Sequence, residues 1–226
     1  TTMELHARGQ TISFDDRPLL MGIVNVTPDS FFDGGRNFDP HAAVAHAVRL
    51  VEEGADLLDI GAESTRPGAI PVDESEERRR LLPVLTAVAK AVSVPISVDT
   101  SKAAVAKAAI DAGAIIVNDV TALRGDPGMV DLIARSGAGV VLMHMQGTPQ
   151  TMQNAPRYDD VVEEVEDFLA ERVRFAMERG VTQHQIMLDP GIGFGKTLSH
   201  NLDLLAQLRT FTKLGFPLLV GPSRKA

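Results

Sequence analysis

Polar side chains recur at one kind of position in this 226-residue chain, the ends of its short apolar runs. Asn25, Asp59, Asp99, the pair Asn118 and Asp119, His144, Asp189 and Ser223 each close such a run or directly follow one. Taken singly, an Asp or Asn there reads as readily as a helix cap or turn residue. Repetition at every run is harder to assign to capping, because a carboxylate or amide at a strand end must find partners or water. The set is rich in hydrogen-bond acceptors. A carboxylate accepts two adjacent N–H donors and an Asn both donates and accepts, which suits the edge of a flat aminopyrimidinone such as guanine or a pterin. A sugar phosphate would require donors instead.

Donors occur in the segments that follow the runs. One reads Asn25-Val-Thr-Pro-Asp-Ser-Phe-Phe-Asp-Gly-Gly-Arg36 and a second Glu63-Ser-Thr-Arg-Pro-Gly68. Ser223-Arg224-Lys225 stands where a helix should start, and amides and the helix dipole favour an anion there. Long, glycine-bearing loops of this kind are expected to act as lids. Arg66, Arg224 and Lys225 gather positive charge in a chain whose formal net charge is −8. The plain alternative for Arg66 is a solvated loop arginine. Asn25 can ligate an oxygen-preferring cation such as Mg²⁺.

Other chemistries are excluded or weakened. There is no cysteine, hence no thiolate metal site or cysteine nucleophile. The histidines His6, His41, His46, His144, His184 and His200 show no ligand spacing on one helix face. Pro190-Gly-Ile-Gly-Phe-Gly-Lys-Thr197 nearly matches a phosphate-binding P-loop, but proline stands at its first glycine and the segment does not open the fold. It reads as a turn that lets a planar ligand approach closely, with Phe194 as a stacking surface or a core residue. The acidic balance argues against nucleic acid, and the apolar runs are too short for a membrane span. No basic-then-apolar leader is visible at Thr1–His6, so a cytoplasmic location is expected.

The elements that must carry these residues alternate regularly. The apolar runs are Leu20–Val26, Asp56–Gly61, Pro95–Asp99, Ile115–Asp119, Gly139–His144, Ile186–Asp189 and Pro217–Gly221. They are continuous and rich in Val, Ile and Leu, as parallel strands covered on both faces are. Between them lie segments with helical spacing: Pro40–Glu53, Ser75–Ala91, Ser101–Ala112, Pro127–Ser136, Asp159–Arg179 and Leu198–Lys213. Repeated β-then-α units predict an α/β fold, specifically a TIM (β/α)8 barrel whose chemistry sits at the carboxyl ends of the strands. A doubly wound open sheet is the alternative, but no nucleotide loop follows the first strand. Residues 1–226 read as a single barrel domain, with 1–18 forming an N-terminal hairpin and the entry to strand one. Seven strands and six helices are counted, so the last βα portion is absent from the sequence.

With these segments assembled, the chain resembles the dihydropteroate synthases of the pterin-binding enzymes. Asn25–Gly35 and Asp59–Gly68 resemble the first two signatures of that family. Ser97–Thr100, Asn118-Asp119, Met143–Thr148, Leu188–Lys196 and Gly221–Lys225 match in the same order. The resemblance implies condensation of 6-hydroxymethyl-7,8-dihydropterin diphosphate with p-aminobenzoate to dihydropteroate and pyrophosphate, with Mg²⁺ as cofactor and a homodimer as assembly. It implies a pterin site at Asp99, Asn118, Met143, Asp189 and Lys225, and a diphosphate site at Asn25, Thr65 and Arg66, with Asn25 on the metal. It places p-aminobenzoate against Phe31, Pro67, Phe194 and Ser223, and gives Asp33, Arg66 and Lys225 catalytic roles. The family also supplies an Arg and a His from an eighth strand that this sequence does not reach.

Three rival readings remain. A pterin-binding methyltransferase would share the acceptor floor but lack the diphosphate segments. A non-catalytic pterin-binding paralogue would keep the fold and lose loop residues. An unrelated phosphate-binding barrel would have no need of so many acceptors.

Overall fold

The chain opens with two short alternating segments on either side of Arg8-Gly9. In the computed structural model, which describes residues 3–14, 17–27, 32–33, 37–65 and 68–222, they pair antiparallel as β1 (Glu4–Ala7) and β2 (Gln10–Ser13). Arg8 and Gly9 both take positive φ, the backbone of a tight two-residue hairpin turn. The hairpin's apolar side chains, Leu5, Ala7 and Ile12, pack on Leu57, Ile115, Ile116, Val141 and Met187 at the amino-terminal end of the main sheet.

That sheet follows the apolar runs. β3 (Met21–Asn25) is followed by a two-residue ladder, β4 (Phe32–Asp33) with β5 (Asn37–Phe38). Then come β6 (Leu57–Gly61), β7 (Ile96–Asp99), β8 (Ile116–Asp119), β9 (Gly139–Met143) and β10 (Ile186–Asp189). β3, β6, β7, β8, β9 and β10 lie side by side in chain order, all parallel. The expected seventh strand, Pro217–Gly221, is reduced to one parallel bridge between Leu218 and Leu188, held by Leu188 N–H to Pro217 O and Leu219 N–H to Leu188 O. Two prolines within six residues remove ladder donors here, which explains the short pairing. Among the described residues no ladder joins this edge to β3, so the barrel wall is open between them.

The crossovers are α1 (Pro40–Glu52), α2 (Glu74–Ala91), α3 (Ala103–Asp111), α4 (Met129–Ser136), α5 (Val161–Glu178), α6 (Leu198–Ala206) and α7 (Leu208–Thr212). Asp39, Asp73, Asp160 and Thr197 cap their helices by accepting first-turn amides. The one long helix expected over Leu198–Lys213 is two: the backbone leaves helical geometry at Gln207 and resumes after it.

Period two then sorts the strands. Val24, Leu58, Ile60, Val98, Val117, Val140 and Leu188 face outward and are buried with Ala47, Leu85, Val105, Ile133 and Leu169 of the helices. The alternate residues face the interior. The lower ones are apolar and meet the hairpin, while the upper ones are Asn25, Asp59, Asp99, Asn118, Met143 and Asp189. On every one of these strands but β9, which offers Met143, a continuous apolar run thus hides a polar inward residue.

Candidate active site

Parallel register brings those inward residues together. Asn25, Gly61, Asp99 and Asn118 are neighbours across four strands, and Asp59 pairs with Ser97 in the row beneath. Gly61 makes room in the upper row, since a Cβ there would stand 2.9 Å from the Asp99 Cβ and 3.2 Å from its Oδ2. The residues open into one cavity of about 1090 Å³, lined also by Thr27, Ser64, Thr65, Val120, Met143, Asp189 and Phe194. Its apolar wall is a cluster of Val120, Met143, Met145 and Met152 against which Phe194 packs.

The floor of the cavity is polar and held from below. Asn118 Nδ2 donates to Asp59 Oδ2 at 3.0 Å. Three buried atoms in this layer, Asp59 Oδ1, Ser97 Oγ and Asn118 Oδ1, have no partner in good hydrogen-bond geometry, although Ser97 lies close enough to Asp59 to stabilise its anion. Such buried groups are costly unless water or a small shift of the layer gives them a partner. Burial raises the Asp59 carboxyl above its ordinary range and outweighs the opposing contacts of Ser97 and Asn118. Asp189 is oriented by the Gly191 N–H, which donates to its Oδ1 at 2.7 Å.

The second loop is fastened at both ends. Glu63 Oε2 accepts the Val72 N–H at 2.8 Å and the Lys102 ammonium at 2.6 Å. Lys102 also reaches buried Glu77 of α2 at 2.6 Å, whose other oxygen accepts from Thr100 at 2.7 Å. Burial opposes the Lys102 charge, but the bonds to Glu63 and Glu77 outweigh it and raise its pKa. Ser64 and Thr65, which line the cavity, are carried between the fastened ends.

Of the residues singled out from sequence, Asn25, Thr65, Asp99, Asn118, Met143, Asp189 and Phe194 line this single cavity. Phe31, Arg66, Pro67, Ser223, Arg224 and Lys225 lie outside the described residues, and Asp33 is described only as backbone of β4. Two strand-end residues do not reach the cavity. Asp119 is buried facing away, accepting from Thr121 N–H and Oγ1 and from Leu123 N–H, so it closes the turn after β8. His144 faces Lys196. Lys196 itself points into the protein, so the near P-loop holds no outward cation. Sequence reasoning gave no role to Asp59 or Ser97, although period two from Gly61 and Asp99 puts both on the inner face. Glu77 and Lys102, 25 residues apart on different crossovers, carry no local signal.

An exposed ion pair closes the entry to β3: Arg17 bonds both carboxylate oxygens of Asp56, whose Oδ2 also accepts the Leu20 N–H at 2.8 Å. The described residues contain no cluster of three His, Asp or Glu suited to a metal. No helix among them is long and apolar enough to cross a membrane.

With this geometry in hand, similarity to known proteins is decisive. The model of the family described as "Pterin binding enzyme" matches residues 21–226. The dihydropteroate synthase of Escherichia coli K12 is 47% identical over 224 residues, covering 99% of this chain and 79% of that protein. The structure of Xanthomonas albilineans dihydropteroate synthase with 4-aminobenzoic acid superposes with a TM-score of 0.91 at 50% identity, covering 100% of this chain and 80% of that one. The same enzyme in complex with 7,8-dihydropteroate superposes with a TM-score of 0.86 at 48% identity, covering 98% and 78%. The wall of six parallel strands and its crossovers are therefore those of a TIM barrel, and the chain belongs to the pterin-binding enzymes, in the dihydropteroate synthase family.

Proposed function

We infer that the acceptor floor holds the pterin edge of 6-hydroxymethyl-7,8-dihydropterin diphosphate while p-aminobenzoate attacks its methylene carbon, giving dihydropteroate and pyrophosphate. The observation that carries this reading is the grouping of Asp99, Asn118 and Asp189 around one cavity. Asp99 and Asp189 accept the pterin's N–H donors, and Asn118 accepts and donates beside them. Met143 and Phe194 supply apolar wall for flat rings. The X. albilineans structures carrying 4-aminobenzoic acid, a substrate of this reaction, and 7,8-dihydropteroate, its product, support the reading.

The remaining assignments follow the motifs. Asn25, Thr65 and Arg66 take the diphosphate, and Lys225 adds a donor at the pterin. Phe31, Pro67, Phe194 and Ser223 enclose the arylamine, and Asp33 and Arg66 belong to the loops that close over both. Asn25 and the hydroxyl residues Thr27, Ser64 and Thr65 of the same cavity offer hard oxygens, which fits Mg²⁺ held mainly through substrate phosphate and water. When bound, Mg²⁺ neutralises charge on the leaving diphosphate.

The bond between the methylene carbon and the diphosphate oxygen breaks with its electron pair leaving on pyrophosphate. The electron-rich dihydropterin stabilises the cationic methylene, and the arylamine lone pair then forms the new C–N bond. The proton lost from the amine passes to solvent or pyrophosphate. No protein nucleophile is needed, in keeping with a chain that has no cysteine. A homodimer is proposed with this reading, and α6 exposes Leu198, Leu202 and Leu205 along one face for a second copy to cover. A cytoplasmic setting is proposed as well.

The test is an assay of the protein with the pterin diphosphate, p-aminobenzoate and Mg²⁺, following dihydropteroate. Formation of product that stops when Asp189 is replaced by Ala supports the reading. Absence of product from the unsubstituted protein overturns it.

A further inference from the structure

One buried cation plays no part in the roles above. Lys196 ends the Pro190–Gly195 turn, and its side chain is 1% exposed. Its Nζ donates to Gly191 O and Phe194 O, each at 2.9 Å, and lies 2.9 Å from His144 Nδ1. Three close acceptors match the three N–H bonds of one ammonium. His144 Nδ1 is then the acceptor, and the imidazole is neutral with its proton on Nε2. Burial, followed by the charges of Lys196 and Arg124, pushes His144 down to about 2, in agreement with a neutral ring. Burial also draws Lys196 down to about 7.

The acceptors matter because of what they are attached to. Gly191 and Phe194 are the two ends of one tight turn, closed by Phe194 N–H to Gly191 O at 3.0 Å. From the first end the Gly191 N–H orients the Asp189 carboxylate, and at the second the Phe194 ring enters the cavity. The turn lies directly against the chain leaving β9: a Cβ on Gly191 would collide with His144 O, and one on Gly195 would stand 2.6 Å from Gln146 O. Lys196 therefore joins both ends of the turn to β9 at a single atom.

We infer that Lys196 is a positioning residue: by tying the Gly191 and Phe194 carbonyls to His144 it fixes, through one turn, the carboxylate offered to the pterin and the ring offered to the arylamine. The inference rests on the roles given above to Asp189 and Phe194. It also accounts for a lysine in a P-loop-like segment that meets no phosphate.

The test replaces Lys196 by Met, which keeps the length and removes the donors, and compares it with Leu85→Ala, a core truncation on α2 that lowers stability far from the turn. Steady-state constants for both substrates are measured well below the melting temperatures, together with calorimetric binding of 6-hydroxymethylpterin. Lys196→Met should raise KM for p-aminobenzoate and weaken pterin binding by about tenfold each, the loss of roughly 1.4 kcal/mol of orientation. Leu85→Ala should leave both within twofold. Should Lys196→Met not fold, Lys196→Leu, which also removes the donors, carries the same comparison. Wild-type substrate constants and pterin affinity in either Lys196 variant would overturn the clamp. Failure of the unsubstituted protein to make dihydropteroate would instead count against the function itself, and pterin binding would still judge the clamp.

Discussion

The amide of Asn118 gives one of its two hydrogens to Asp59 at 3.0 Å, in the next row of the cavity floor. This bond fixes which way the amide faces. Asn118 lines the cavity, and with one N–H committed to Asp59 its amide cannot flip without losing that bond. An amide free to flip would present its oxygen and its N–H in either order, and half of its orientations would oppose the ligand edge. Asp59→Ala should therefore weaken binding of 6-hydroxymethylpterin about tenfold by calorimetry, near 1.4 kcal/mol for one orienting hydrogen bond. Asp59→Asn keeps an acceptor for Asn118 and should retain most of the affinity. Equal affinity in wild type and Asp59→Ala would show that Asn118 is held by other means.

The same carboxyl gives a pH dependence of stability. Burial raises the Asp59 pKa, so the ionised form is disfavoured in the fold relative to the unfolded chain. A raised folded pKa means that this group's contribution is complete below its unfolded value, near 4, and is lost as pH climbs through the folded value. Asp59→Asn cannot ionise. Relative to wild type it should melt higher at pH 7 than at pH 4, as followed by thermal denaturation at both pH values. A difference of the opposite sign would mean that Asp59 is stabilised as an anion.

The Glu63–Lys102–Glu77 network makes a prediction about the second loop. Glu77 is 1% exposed, and removing Lys102 would leave its charge buried and without a cation. Breaking a buried pair in this way costs about 3 kcal/mol, so Lys102→Met should lower Tm by roughly 6–12 °C in a protein of this size. Adding Glu77→Gln removes the stranded charge and should recover part of the loss. Because Lys102 also holds Glu63 at the start of the loop, the double variant should still show a raised KM for the pterin diphosphate. Full recovery of both stability and KM would confine Lys102 to partnering Glu77.

These residues show how far the sequence could be read. Strand identity, crossover order and the inward acceptors were legible because each is local: an apolar run ending in Asp or Asn signals both a parallel strand and its mouth. Asn25, Asp99, Asn118 and Asp189 were found in this way, and family-like motifs added Thr65, Met143 and Phe194. Asp119 and His144 share the same local signal, yet they turn away from the cavity. Which face a strand-end residue takes depends on parity along the strand, and an error of one position inverts it. The helix expected over Leu198–Lys213 is apolar at helical spacing on both sides of Gln207, so nothing in the spacing marks the break. Lys102, Glu77 and the Lys196 contacts join segments 25 to 52 residues apart, and only the folded register brings them together.

Gly191 allows backbone collision to be separated from backbone strain. It sits at φ +71°, and a Cβ there would run into the carbonyl oxygen of His144. Gly180 also has positive φ, +95°, but its nearest neighbour to a new Cβ is Ala134 at an ordinary 3.7 Å. Both Gly→Ala variants force an L side chain into the left-handed region, at about 1 kcal/mol each. Only Gly191→Ala must also push the turn off β9, which displaces the N–H that orients Asp189. Gly180→Ala should therefore lose about 2–4 °C in Tm and keep its pterin affinity, whereas Gly191→Ala should lose at least twice that and bind the pterin at least tenfold more weakly. Differential scanning calorimetry and titration with 6-hydroxymethylpterin measure both quantities. If the two variants lose equal stability and bind alike, the contact between the turn and His144 does not set the position of Asp189.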